Sequence, residues 1–269
     1  MNKSNFWMAL TIQGDKLHRE IAASYIEQKS LGVLNSSEKT IIYFKDINKE
    51  EIENIVRLKS NINIFKWERI IKEDWNANWK PFFKKISINN TVEIIPSWEK
   101  SNLNSNKIAI KIDPGMAFGT GHHETTEMMI KAMLKFHKKN MSVLDVGTGS
   151  GILSILAYKL KSKIILAVDN DPEIRDNFNK NIKLNDTKAK LKIKNCLKMN
   201  EDNYDLVLAN INKSVLLQFL SKIKNNNSII ILSGFLKNDF DEMKNIIIKV
   251  GCNIIKTYNK REWLCFVIK

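Results

Sequence analysis

Between positions 143 and 151 the chain reads Val-Leu-Asp-Val-Gly-Thr-Gly-Ser-Gly, an apolar run that breaks into three glycines spaced two apart. A buried strand that runs into a glycine-rich turn, with the apolar start of a helix at Ile152, is the opening half of a βαβ unit. Glycines at such a turn let the main chain approach a ligand and leave the first helical amides pointing at it. This pattern constrains everything from residue 108 onward. Helical periodicity over 125–136, 152–160, 172–184, 215–223 and 239–250 alternates with strand patterns over 143–146, 164–169, 191–194, 205–210 and 228–233. Such alternation predicts a parallel sheet covered by helices on both faces, and 254–257 with 264–268 predict a closing antiparallel pair.

The next strand ends at Asp169, where a carboxylate is placed to accept hydrogen bonds from a ribose diol at the carboxyl edge of the sheet. A dinucleotide fingerprint, G-x-G-x-x-G, needs its third glycine at position 152, which is Ile152, so the G-x-G-x-G spacing disfavours NAD. Asp145 lies beneath the turn, able to hold its amides or to meet a positively charged ligand end. A third strand ends in Ala209-Asn210-Ile211-Asn212.

Residues 1–70 read as a separate small α+β unit. Strands over 6–12, 39–44 and 62–67 and helices over 17–28 and 48–58, with a further short strand before residue 39, give the order βα(β)βαβ of a ferredoxin-like sheet. Residues 71–104 change character, with Trp75, Trp79, Phe82, Phe83 and Trp98 among charges, and are expected to form an aromatic-rich interdomain connector before the domain at 105–269. No apolar run approaches the roughly 18 residues of a membrane span, and the amino terminus lacks a signal-peptide pattern, so a cytoplasmic protein is expected. Three cysteines without C-x-x-C spacing, and a His123-Glu124-Thr125-Thr126-Glu127 run lacking the second histidine of a zincin helix, argue against a metal site. The net charge of +14 comes from dispersed lysines and permits RNA, ribosomal or acidic protein partners without selecting among them.

A G-x-G-x-G turn after a strand bearing an acidic residue, with a second acidic residue ending the next strand, resembles the class I S-adenosylmethionine-dependent methyltransferases. Amine- and amide-methylating relatives often carry Asn-Pro-Pro-Tyr where this chain has Asn210-Ile211-Asn212, which keeps the Asn and lacks the rest. The block Asp113-Pro114-Gly115-Met116-Ala117-Phe118-Gly119-Thr120-Gly121-His122-His123-Glu124-Thr125-Thr126 is more specific. With Trp75-Asn-Ala-Asn-Trp79 and Ile95-Pro96-Ser97-Trp98 upstream, it resembles the signature of the PrmA family, methyltransferases of large-subunit ribosomal protein L-eleven (L11). Many members have Thr-His-Pro where this chain has His122-His123-Glu124, which leaves His122 and Glu124 without an assigned role.

The resemblance implies a Rossmann-like, seven-stranded methyltransferase domain that binds S-adenosyl-L-methionine through Thr126, Gly147, Gly149, Asp169 and Asn210. Phe118 and Gly119 to Gly121 would form a loop over the cofactor, Cys196 and Leu197 would lie beside its adenine, and Asn210 would be catalytic. It further implies methylation of lysine side chains and of the α-amine of L11, free or on the ribosome, with residues 1–70 holding the substrate; a monomer is expected. Two alternatives share the cofactor core: an RNA methyltransferase, and a catalytically idle module that assembles on ribosomes.

Overall fold

The computed structural model describes residues 6–26, 30–35, 38–45, 47–60, 62, 65–71, 84–99, 106–114, 121, 123–198, 203–222 and 227–269. The chain forms two compact units, Met1–Phe82 and Phe83–Lys269.

In the first unit, strands β1 (Phe6–Gln13), β2 (Gly32–Asn35), β3 (Lys39–Phe44) and β4 (Phe65–Ile71) pair in the order β2-β3-β1-β4, antiparallel throughout. Helices α1 (Lys16–Ile26) and α2 (Lys49–Ser60) follow β1 and β3, which completes the ferredoxin-like topology. The alternation in β1 and β3 points Leu10, Ile12, Ile42 and Phe44 at Ala22, Ile26, Ile52 and Val56 of the helices. The last strand starts at Phe65 rather than 62, because Ile62 packs into this cluster from the preceding loop.

The second unit is built on a seven-stranded sheet. Its strands are β8 (Ser142–Val146), β9 (Ile164–Asp169), β10 (Lys190–Ile193), β11 (Leu206–Asn210), β12 (Ile229–Leu236), β13 (Ile254–Lys260) and β14 (Trp263–Ile268). They lie in the order β10-β9-β8-β11-β12-β14-β13, with β14 antiparallel to both neighbours and the other pairs parallel. The order reverses at β8, so the crevice between the carboxyl ends of β8 and β11 is where an open α/β sheet receives its ligand. Helices α3 (Glu124–Phe136) and α4 (Ile152–Lys159) share one core cluster with Val143, Leu206 and Leu208, whereas α6 (Lys213–Leu220) and α7 (Phe240–Lys249) share another with Leu144, Val207 and Ala209. Helix α5 (Ile174–Leu184) brings Ile174 and Phe178 onto Ala167 of β9.

The stretch expected to be a connector differs from that reading. Strands β5 (Ile86–Ile88), β6 (Val92–Pro96) and β7 (Ile108–Ile112) form a small sheet in the order β5-β6-β7, antiparallel and then parallel. Ile88, Val92, Ile94, Ile110 and Ile112 join the cluster of α3 and α4. Burial of this apolar set accounts for the isoleucines and valine of 86–112. Trp75, Trp79, Phe82 and Phe83 lie outside the described residues, and Trp98 is partly exposed. Among the described residues no helix is long and apolar enough to cross a membrane, and no cluster of three or more His, Cys, Asp or Glu side chains could hold a metal ion.

Candidate functional site

The turn after β8 takes its shape from its glycines. Gly147, Gly149 and Gly151 have φ of 68°, 49° and 83°, a left-handed backbone that other residues adopt at a cost. At Gly147 the requirement is also spatial, because a Cβ built there would fall 2.1 Å from Ile211 Cγ2. The amides of Gly147 and Thr148 donate to the Val168 carbonyl at 2.8 and 3.1 Å, which ties the turn to β9. Asp169, at the end of β9, accepts the Gly149 amide on Oδ2 at 3.0 Å and the Asp171 amide on Oδ1 at 3.0 Å. Its carboxylate therefore holds the turn while standing at the mouth of the crevice.

Strand parity explains where the two other polar groups go. Asp145 shares the face of Val143, toward α4, and its Oδ2 accepts the Ser154 and Thr148 hydroxyls, each at 2.7 Å. The group is buried, and burial pushes its carboxyl up to about 6, with the two hydroxyls opposing the rise. It braces the turn from below rather than facing a ligand. Asn210 shares the face of Leu206 and Leu208, toward α3, where its Nδ2 donates to Thr126 Oγ1 at 3.5 Å. Thr126 is fully buried. The Asn210 Oδ1 is buried with no hydrogen-bond partner among the described residues. An amide oxygen left in that state carries a penalty of about 1 to 3 kcal/mol unless a donor arrives, so it reads as an acceptor waiting for a ligand N–H.

Gly147 and Asp169 open onto one cleft, which Asn170, Cys196, Leu197, Ile211 and Asn212 also line; Asn210, buried with Thr126, does not line it but directly precedes Ile211 in the chain. Half-burial raises the Cys196 thiol above its usual range. The donor set fits a nucleoside carrying a cationic group: a carboxylate for a diol beside the glycine turn, apolar walls for a flat ring, and the unpaired Asn210 carbonyl oxygen one residue before Ile211 of the cleft wall.

The family model described as ribosomal protein L11 methyltransferase (PrmA) matches residues 8–269. The chain belongs to that family. It is 35% identical over 229 residues to the ribosomal protein L11 methyltransferase of Clostridium botulinum (strain Eklund 17B / Type B), covering 83% of this chain and 73% of the relative. The corresponding protein of Ruminiclostridium cellulolyticum is 35% identical over 228 residues, covering 81% and 72%. Among solved structures, the ribosomal protein L11 methylase of Lactobacillus delbrueckii subsp. bulgaricus superposes with a TM-score of 0.65 at 28% identity, covering 70% of this chain and 98% of that one.

The PrmA-like block gains partners that its sequence did not reveal. His123 is the N-cap of α3, accepting the Thr125 amide on Nδ1 at 3.3 Å and packing its ring edge-on against Trp263 at 4.8 Å. Burial lowers its pKa, with Glu124 opposing, so it is a neutral capping group. Glu124, left without a role by its sequence, pairs with Arg261 at 2.8 Å. Phe118, Gly119, Thr120 and His122 lie outside the described residues. The block is anchored by a residue that sequence reasoning missed. Asn181 of α5 accepts the Asp113 amide at 2.8 Å and donates to the carbonyls of Asp113 at 3.2 Å and Ser150 at 3.0 Å, joining the start of the block to the glycine turn. Asn177, Asn181 and Asn185 recur every fourth residue on one helix face, a signal hidden by the many other asparagines.

Proposed function

We propose that this protein methylates amines of ribosomal protein L11, lysine side chains and the N-terminal α-amine, using S-adenosyl-L-methionine. The observation that carries the reading is the buried, unpartnered Oδ1 of Asn210 at the carboxyl end of β11, one strand from the glycine turn. Family membership supplies the substrate class.

Asp169 would hold the ribose hydroxyls, the main chain at Gly147 and Gly149 would lie against the amino-acid end together with Thr126, and Cys196 and Leu197 would flank the adenine. When bound, the cofactor supplies an electrophilic methyl group on a positively charged sulfur. The remaining work falls to the chain's own groups. An acceptor amine must be neutral to present its lone pair, and for a lysine at pH 7 that costs about 4 to 5 kcal/mol, against about 1 for an α-amine. A buried site next to a cationic centre lowers the amine pKa and reduces that cost. Asn210 Oδ1 then accepts one of the remaining N–H bonds and aims the lone pair along the transfer axis, with Thr126 Oγ1 fixing the other end of the amide. This is catalysis by positioning, and it needs no covalent intermediate and no dedicated general base. Residues 1–70, in the first unit, are assigned the role of holding the protein substrate.

The test is incubation of the purified protein with methyl-labelled S-adenosylmethionine and L11, followed by mass spectrometry of the product. Methylated lysine and α-amine positions are expected. Binding of the cofactor with no transfer to L11 would reject the substrate, and micromolar binding of NAD with no response to S-adenosylmethionine would reject the cofactor.

A further inference from the structure

Resting on the methyl-transfer reading of Asn210, we infer that Gly234, which that reading leaves out, is a positioning residue for the amine-accepting end of the site. Strand β12 runs beside β11 with Ser233 opposite Asn210, and its register against β14 shifts between Ser233 and Phe235. The residue in that bulge, Gly234, has φ of 104°. A Cβ built on it would lie 2.0 Å from the Ile211 carbonyl oxygen, 2.7 Å from its carbonyl carbon and 3.2 Å from its amide nitrogen. The peptide of Ile211 therefore occupies the space that any side chain at position 234 would need, and because the colliding atoms are backbone, no rotamer change relieves the clash.

The rest of the segment is held as tightly. The Ile211 amide donates to the Ser233 carbonyl at 3.2 Å. Ser233, fully buried, donates its hydroxyl to the Leu264 carbonyl at 2.7 Å, which fixes the bulge against β14. On the opposite side the Ile211 side chain fills the space over Gly147. One residue further, Asn212 caps α6 by accepting the Val215 amide at 3.1 Å. Ile211 is thus seated between a glycine of the cofactor turn and a glycine of the bulge, and Asn210, directly before it, inherits its orientation. A β-bulge whose extra residue is glycine lets β11 and β12 approach closely enough to lock the Asn210 amide in place.

The experiment compares Gly234→Ala with Gly251→Ala, a control that carries the same left-handed strain (φ 81°) at the end of α7, away from Asn210. Calorimetric affinity for S-adenosylmethionine, thermal stability, and kcat and KM with L11 are measured for each. For Gly234→Ala, kcat is expected to fall about tenfold or more while cofactor affinity and KM change less than about threefold, and the control, at comparable loss of stability, keeps kcat within about twofold. Should Gly234→Ala not fold, Ser233→Ala loosens the bulge without a clash, and a smaller fall in kcat at unchanged cofactor affinity is expected. The Asn210 side-chain NH2 resonance, read without cofactor or substrate, is expected to move in Gly234→Ala and not in the control. A resonance and kcat that both stay with wild type, or a kcat that falls only in step with cofactor affinity, would overturn the role of Gly234. A wild-type protein inactive on L11 would instead remove the methyl-transfer reading, while the resonance comparison still tests the coupling.

Discussion

The Asn210 side-chain nitrogen lies 3.5 Å from the Thr126 hydroxyl oxygen, a contact that spans 84 residues of sequence and turns the amide oxygen into buried space without a donor. The two residues come together because strand parity puts Asn210 on the α3 side of the sheet and the His123 cap starts α3 three residues before Thr126. If that oxygen orients the acceptor amine, Asn210→Ala removes a bond that matters most in the transition state, typically about 2.7 to 4 kcal/mol of barrier. Turnover is expected to fall roughly 100-fold or more with a smaller change in cofactor affinity. Asn210→Asp should be slow near neutral pH, because an anion holds the acceptor as an ammonium, and partly recover as pH rises. Single-turnover rates across pH check both, and near wild-type rates would make Asn210 structural.

Asp169 carries two tasks at once. Its carboxylate closes the glycine turn through the Gly149 and Asp171 amides and stands where a diol would bind. Asp169→Ala is expected to weaken S-adenosylmethionine binding by about 1.5 to 3 kcal/mol, the worth of a charge-assisted hydrogen bond. Circular dichroism should show a retained fold, since the residue ends its strand at the cleft. An unchanged calorimetric affinity would limit Asp169 to closing the turn.

Much of the second unit is legible in the sequence because its cues are local: glycines at one spacing, acidic residues at strand ends, and helix periodicity between them. The small sheet of β5 to β7 is not. Its strands are short, Glu93 interrupts the apolar run of β6, and Pro96 ends it. The structure resolves the conflict by pairing Glu93 with Lys85 at 2.9 Å and Lys107 at 3.3 Å, contacts distant enough in sequence to leave no periodic trace. The Asn181 tether is hidden for a related reason: its partners are main-chain atoms, so no residue pattern at 113 or 150 reports it. Buried polar groups with non-local partners are what a reading of one sequence misses.

Asp145 sets a pH dependence opposite to that of a salt-bridged carboxylate. Burial raises it from an ordinary 3.8 to about 6, the Ser154 and Thr148 hydroxyls pull it down, and nearby Asp169 adds to the rise. Between these values the folded state holds a proton that the unfolded chain has released, so stability falls as pH rises from about 4 to about 6 and then levels. Asp145→Asn does not titrate. Across this window the wild type should lose stability relative to that variant by an amount on the order of 3 kcal/mol. Urea unfolding of both proteins at several pH values measures the difference, and parallel curves would show that Asp145 titrates as an ordinary carboxylate.

The last prediction separates the two units at the boundary the structure draws. A fragment of residues 105–269, the methyltransferase domain as its sequence delimits it, would lose β5 and β6 and strip Ile88, Val92 and Ile94 from the cluster they share with Ile110, Ile112 and α3. Large-to-small changes at single buried positions cost about 2 to 5 kcal/mol, and the loss of three whole residues rivals the 5 to 15 kcal/mol that holds a typical domain together. That fragment should unfold at much lower urea or fail to fold. A fragment of residues 83–269 keeps the small sheet and is expected to unfold cooperatively and to bind S-adenosylmethionine with affinity near that of the full chain. It should lose methylation of L11 if the ferredoxin-like unit holds the substrate. Urea titrations, calorimetry and a labelled-methyl assay on both fragments decide each point: equal stability would mean the small sheet contributes nothing, and full activity of 83–269 would remove the substrate-holding role from the first unit.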